Sequence, residues 1–207
     1  RLKNRNSEEL NSQFGNGRAV NELSSVPNQV GRKRTLCEAY GAGGWDLRFE
    51  DMKRIGDWLY VLGVNTLDEH VSYVTICGAR KRDHPQSFSY HEPWWEGYHV
   101  MAKYFTRLSL AMSSGEEVNE VLIIEPTTTA WMYQPDGSTR GHMQEVGVRF
   151  QKMITDLSKA QVEYDLAAED IMMRHGKVDP KGPALIVGQR SYKKVVVPWD
   201  TENINGK

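Results

Sequence analysis

Short apolar runs alternate with longer amphipathic stretches along this chain. Residues 34–39 predict a short strand, apolar on both faces apart from one acid, Glu38. A glycine-rich turn, Tyr40-Gly41-Ala42-Gly43-Gly44-Trp45, closes it. Leu47, Met52, Ile55, Trp58, Leu59 and Leu62 then recur at steps of three and four, which predicts a helix capped by Asp46 and stopped by Gly63. A second strand follows at 64–67, with Asp68-Glu69-His70 at its C-terminal end. Residues 76–93 read as a long loop containing Gly78, Pro85, Pro93 and a solvated RKRDH run; a connection of this length is more often functional than an average loop. Helical spacing returns over 94–113. A buried strand at 121–124, closed by Pro126, precedes a polar turn region at 127–139 and a helix over 140–159. Short elements complete the pattern: a strand at 162–166, a helix at 167–175, and strands at 184–187 and 193–197. Residues 1–16 read as a polar lead-in loop, and 18–30 as a short helix kinked by Pro27.

Strands alternating with helices of this length predict an α/β architecture with parallel strands. The character of the strand ends changes near residue 116. Before it they carry acids, histidine and aromatics; after it they do not. This places a domain boundary there, with residues 1–116 and 117–207 as the two parts. The strand ends of the second part read Glu125-Pro126-Thr127 and Val187-Gly188-Gln189. The reading is a parallel α/β unit without a catalytic site, Glu125 being a solvated or capping side chain.

Composition narrows the function classes. There are 26 basic and 27 acidic residues, for a net charge of -1. That balance argues against nucleic-acid binding through a basic surface and against a polybasic membrane anchor. No run approaches the ~18 apolar residues a spanning helix needs. The two cysteines, Cys37 and Cys77, have neither disulfide-scaffold nor zinc-ligand spacing. The glycine turn lacks both the GxGxxG frame and the lysine of a phosphate loop, and no GxSxG or HExxH motif is present. The chain begins without Met and with no signal-peptide core, which reads as a fragment of a longer protein.

Ligands of parallel α/β folds sit at the C-terminal ends of strands. Glu38 occupies such a position on an otherwise apolar strand, where an unpaired carboxylate is costly. Either a partner such as Arg48 or a helix N-terminus compensates it, or it is a catalytic carboxylate. Asp68, Glu69 and His70 occupy the next strand end, either as a solvated turn or as polar ligands to a substrate, and adjacent strand ends make a Glu38/Glu69 carboxylate pair geometrically conceivable. The 20 aromatics include Trp58 and Tyr104, placed to fill core, while Trp45, Trp94 and Trp95 lie near strand ends or in the long loop, where flat faces with polar edges suit sugar rings.

Three blocks, RTLCEAYGAGGWDLRFEDMKRIGDWLYVLGVN, LDEHVSY and ARKRDHPQSFSYHEPWW, resemble bacterial glycoside hydrolases related to the α-L-rhamnosidases of glycoside hydrolase family 106. The resemblance covers about residues 20–125. It implies the last strands of a partial (β/α)8 TIM barrel, followed over 117–207 by a truncated domain similar to the flavodoxin-like accessory domains of such hydrolases. Glu38 then matches the family's catalytic carboxylate in its SE-[TA]-[FY]-G block, with Cys37 in place of the serine. His70 matches a histidine of the block after the next strand, where relatives often carry a non-acidic residue at the position of Glu69. The substrate-contacting set expected is Tyr40, Trp45, His70, Tyr73, His91 and Trp95. Also implied are an oligosaccharide or polysaccharide substrate, no organic cofactor, and calcium by resemblance only, since the chain has no calcium-loop spacing. The parent protein would be periplasmic or extracellular, with oligomerisation through the second domain. The remaining barrel strands and a general acid are expected ahead of Arg1. The competing expectation is a non-catalytic carbohydrate-binding or assembly module derived from such an enzyme.

Overall fold

The computed structural model describes residues 7–83, 85–133 and 140–206, with side chains described from residue 17 onward and not at residue 140. The chain divides into two compact units, residues 33–116 and residues 1–32 together with 117–207. Among the described residues no helix is long and apolar enough to cross a membrane.

The first helix, α1 (Ser7–Val30), is longer than the pattern suggests, because residues 7–16 are helical rather than a loop. Pro27 lies inside it. This segment packs on Arg140–Lys159 and Asp165–Ala167 and belongs with residues 117–207.

In the 33–116 unit, β1 (Leu36–Ala39) pairs in parallel with β2 (Thr66–Glu69), and α2 (Phe49–Val61) connects them. Met52, Gly56, Leu59 and Tyr60 form the buried stripe of α2, while Glu50 and Asp51 meet the positive end of its dipole. The helix starts after Arg48 with no side-chain cap, so Asp46 does not cap it. It ends as expected: Gly63 adopts φ 96, its N–H donates to Tyr60 O at 3.1 Å, and the Val64 N–H donates to Leu59 O at 3.1 Å. Trp58 falls outside the buried stripe and is 41% exposed, so it does not fill core as expected. A loop containing a short 3-10 turn at Gly78–Arg82 leads to α3 (Tyr98–Ser114), which buries Met101 and Phe105. His84 of the RKRDH run lies outside the described residues.

The other unit is built on β3 (Val121–Ile124), the central strand of a parallel sheet of order β4-β3-β8, where β4 is Asp165–Ala167 and β8 is Lys194–Val196. Its side chains alternate into two cores. Leu122 and Ile124 pack with Ala167, Val187 and Tyr192; Ile123 packs with Phe150, Ile154, Tyr164 and Leu166. Burial on both faces explains the unbroken apolar run. Between β3 and β4 lie α4 (Thr127–Met132), in a region read as turn, and α5 (Arg140–Lys159). Helix α6 (Glu169–His175) then leads into an antiparallel sheet of β5 (Gly176–Val178), β6 (Leu185–Val187) and β7 (Arg190–Tyr192). The sequence reading did not contain β5, β7 or this antiparallel element.

Helix α1 docks on β4 through polar contacts. Gln29 Nε2 donates to Leu166 O at 3.0 Å, the Leu166 N–H donates to Ser25 Oγ at 2.9 Å, and Asn28 Nδ2 donates to Asp165 Oδ2 at 2.9 Å. Asp165 also accepts from Asn119 Nδ2 and Tyr192 Oη. Buried backbone and carboxylate groups are thereby satisfied, which fixes the helix on the sheet.

Candidate functional site

The parallel register sets the geometry at the C-terminal ends of β1 and β2. Glu38 is opposite Asp68, and Ala39 is opposite Glu69. Side chains alternate between faces along a strand, and register partners share a face. Glu38 and Asp68 therefore lie on one face, with His70 continuing it, while Glu69 belongs to the other. The contacts agree with this division. His70 Nδ1 lies 2.7 Å from Glu38 Oε1. Glu69 Oε1 instead accepts from Tyr98 Oη on α3 at 2.6 Å. A Glu38/Glu69 pair is thus not formed, and the carboxylate in register with Glu38 is Asp68, about 4.8 Å away between strands.

Glu38 is more open than an apolar strand suggests. Its side chain is 63% exposed, and Leu36 is also exposed. Only Ala39 of β1 is buried, because β2 is the one strand paired with it among the described residues. Arg48 is not its partner; that guanidinium pairs with Glu50 and Asp51. His70 takes the role instead, packed beside Gly41.

The turn after β1 holds this arrangement. Tyr40 and Ala42 take left-handed φ values of 68° and 55°, and Gly44 takes 84°. Such a backbone costs a β-carbon residue on the order of 1 kcal/mol and needs support. Tyr40 supplies it. Its ring is buried against Phe88, and its hydroxyl donates to Met52 O at 3.0 Å. Burial, with Glu69 nearby, drives its phenol well above the ordinary range. Tyr40, expected among the substrate contacts, thus lies buried beneath the turn with its hydroxyl bonded to Met52 O. Gly43 is required by close packing, since a Cβ would stand 2.9 Å from Tyr40 O.

The long loop brings several aromatics together. Trp94 packs with Phe49, Phe88 and Tyr98 at ring separations of 5.4–5.7 Å, making it part of an aromatic core. Trp95 stacks on Tyr98 and stays 40% exposed. Trp45 is half-buried; its indole donates to Asp83 O at 3.1 Å, and its ring lies 6.3 Å from that of Tyr73. The Tyr73 hydroxyl donates to Pro85 O, and Arg80 lies over its ring. His91 Nδ1 sits 3.0 Å from Ser89 Oγ and 3.2 Å from Ser87 Oγ. The Trp45 indole N–H, the Tyr73 hydroxyl and Nδ1 of His91 are thus engaged in holding the loop.

Two residues of this loop escaped the sequence reading. Gln86 and Glu92 are buried, and burial raises the Glu92 carboxyl above its ordinary range. Neither amide atom of Gln86 nor Oε1 of Glu92 has a hydrogen-bond partner among the described residues. Nothing in the run QSFSYHE separates these two from solvated loop residues. Among the described residues no group of three or more potential ligands is placed to hold a metal ion.

Glu125, expected to be solvated or capping, is neither. Burial, with Glu22 facing it, pushes its carboxyl up to about 7. The missed signal was its place directly after the apolar run of β3, the same signal that singled out Glu38.

No family model and no curated protein sequence matches the chain. Among solved structures, a rhamnosidase from Novosphingobium sp. PP1Y is similar at a TM-score of 0.60 and 18% identity, over 90% of this chain. The chain spans 17% of the length of that rhamnosidase. At this identity the likeness is one of fold: the mixed α/β arrangement described above recurs within a rhamnosidase.

Proposed function

We propose that this chain forms part of a glycoside hydrolase acting on α-L-rhamnosides, with Glu38 as a catalytic carboxylate. The observation that carries the reading is the Glu38–His70 contact of 2.7 Å on the solvent-facing side of two parallel strand ends. Strand ends are where α/β enzymes place their chemistry, and the fold likeness to a rhamnosidase points the same way. By this reading β1, α2, β2 and α3 are late β/α units of a barrel. Residues 117–207, with α1 packed on them, serve as an accessory α/β unit related to flavodoxin-like domains.

Glycoside hydrolysis needs two carboxyl groups around an oxocarbenium-like transition state. Glu38 acts as nucleophile or as the base that activates water. His70 donates from Nδ1 and holds the carboxylate in one rotamer, so that its second oxygen faces the sugar. Trp95, on the rim of the aromatic cluster, offers a partly exposed ring to the substrate. The partner acid stands ~5–5.5 Å from Glu38 if configuration is retained and ~6.5–9.5 Å away if it is inverted. Asp68, in register with Glu38, adds negative charge to the face where positive charge develops.

The test is hydrolysis of para-nitrophenyl α-L-rhamnopyranoside by the protein that carries this sequence. Glu38→Gln should lower kcat by at least about 10³-fold, because the charge is lost while the shape is kept. His70→Gln should give a smaller loss, as a positioning residue, with a changed pH profile. Near-normal turnover by Glu38→Gln in a folded protein overturns the assignment.

A further inference from the structure

The unit formed by residues 1–32 and 117–207 has a cleft of its own, of about 310 Å³, at the C-terminal end of β3. One wall is polar. Arg18 and Glu22 reach in from α1, and Glu125 follows β3. Arg18 Nε lies 2.9 Å from Glu22 Oε1 without being aligned to hydrogen-bond it, and its guanidinium stands over the Phe150 ring at 5.8 Å. Glu22 stands near enough to Glu125 to add to the effect of burial, which raises the Glu125 carboxyl above its ordinary range. Phe150, Val146 and Ala130 add apolar lining, and Trp131, 64% exposed, lines the cleft as well. A smaller cavity of about 120 Å³ shares Phe150 and ends at Trp199, which is 87% exposed.

We propose that this cleft is a carbohydrate-binding subsite that seats a neutral pyranose ring, with Trp131 as its stacking platform. One guanidinium stands among two carboxyl groups, so groups of both signs line the cleft, which favours neither a free cation nor a free anion. What remains is a set of strong acceptors and donors in the same cleft as an exposed indole. A sugar ring matches that combination: its hydroxyls bond the carboxylate and guanidinium, and its C–H face lies on the aromatic ring. The adjoining cavity with Trp199 leaves room for the saccharide to continue past one ring. Parallel α/β units place ligands at this strand end. The inference stands on the chemistry of the cleft and does not depend on the role of Glu38.

The full chain, labelled with nitrogen-15, is titrated with methyl α-L-rhamnopyranoside while its six tryptophan indole N–H resonances are followed. The Trp131 signal is assigned as the one missing from Trp131→Phe. Saturable movement of that signal is expected, in the millimolar range typical of one weakly held ring. Glu22→Ala should weaken the affinity about tenfold, the effect of losing one charge-assisted hydrogen bond. Dispersion of the remaining indole signals confirms that each variant is folded. Glu38→Gln should leave the titration unchanged. A Trp131 signal that stays fixed in excess sugar overturns the proposal. So does one that moves equally in wild type and Glu22→Ala, or whose movement is lost in Glu38→Gln.

Discussion

Glu125→Gln gives a direct test of the electrostatics of the β3 strand end. The Glu125 carboxyl is pushed from its ordinary value of 4.5 up to about 7, first by burial, then by Glu22, with Glu169 adding to the effect and Arg18 opposing it. A raised acid binds more protons in the folded than in the unfolded chain. Its contribution to stability is therefore fully present below pH 4.5 and is lost as the pH rises to about 7. At about 1.4 kcal/mol per pH step, the wild-type unit loses roughly 3 kcal/mol across that window. Glutamine cannot ionise and removes this slope. Glu125→Gln should match wild type near pH 4.5 and exceed its stability by up to about 3 kcal/mol above pH 7. Two-unit chains do not unfold in one step, so the assay must read this unit alone. Urea unfolding followed at the amide signals of Leu122, Ile123 and Ile124 does so, because these residues form the centre of its sheet. Parallel pH dependence of wild type and variant, with a difference at pH 8 below about 1 kcal/mol, would refute the reasoning.

Two further perturbations probe packing. A methyl group at Gly56 would enter the Phe105 ring and stand 3.2 Å from Tyr40 Oη, so Gly56→Ala should destabilise the 33–116 unit by about 1–2 kcal/mol despite the better helix propensity of alanine, read as a lower urea midpoint; a stabilised variant would show that Phe105 moves freely aside. Asp165→Ala removes the shared acceptor of Asn28, Asn119 and Tyr192 and should cost about 3–5 kcal/mol, lowering the thermal midpoint of its unit, whereas a change below about 1 kcal/mol would mean that the network contributes little.

The longer elements were legible because period and burial agree. The stripe of α2, the apolar run of β3 and the extent of α5 follow directly from residue spacing. Where they disagree, the reading failed. Strands β5 and β7 have three residues each, too few to show a period, and their antiparallel pairing with β6 is set by the intervening turns. The polar start of α1 hid a helix, and the contacts that tie α1 to β4 join residues more than 130 positions apart. Such contacts leave no local trace in the sequence. β1 was misjudged for a related reason: LCEA looks doubly buried, yet burial depends on what stands beside the strand.

Glu38 and Glu125 show how far a strand-end carboxylate can be interpreted from sequence. Both follow apolar residues on parallel strands, and the same rule of position applies to both. Their chemistry diverges because of what faces them. Glu38 meets His70, two residues beyond its register partner Asp68, and stays open to solvent with a hydrogen-bond donor on one oxygen. That arrangement suits a group that must present a lone pair to a substrate. Glu125 meets another acid, Glu22, in a half-buried cleft, and it holds a proton at pH values where an ordinary glutamate has lost it. That arrangement suits a group that can donate as well as accept a hydrogen bond near neutral pH. The deciding residue is near enough in sequence to be guessed in the first case and about a hundred positions away in the second. Position alone therefore nominates a site, and the facing side chain sets how readily its carboxyl ionises and what it can bond.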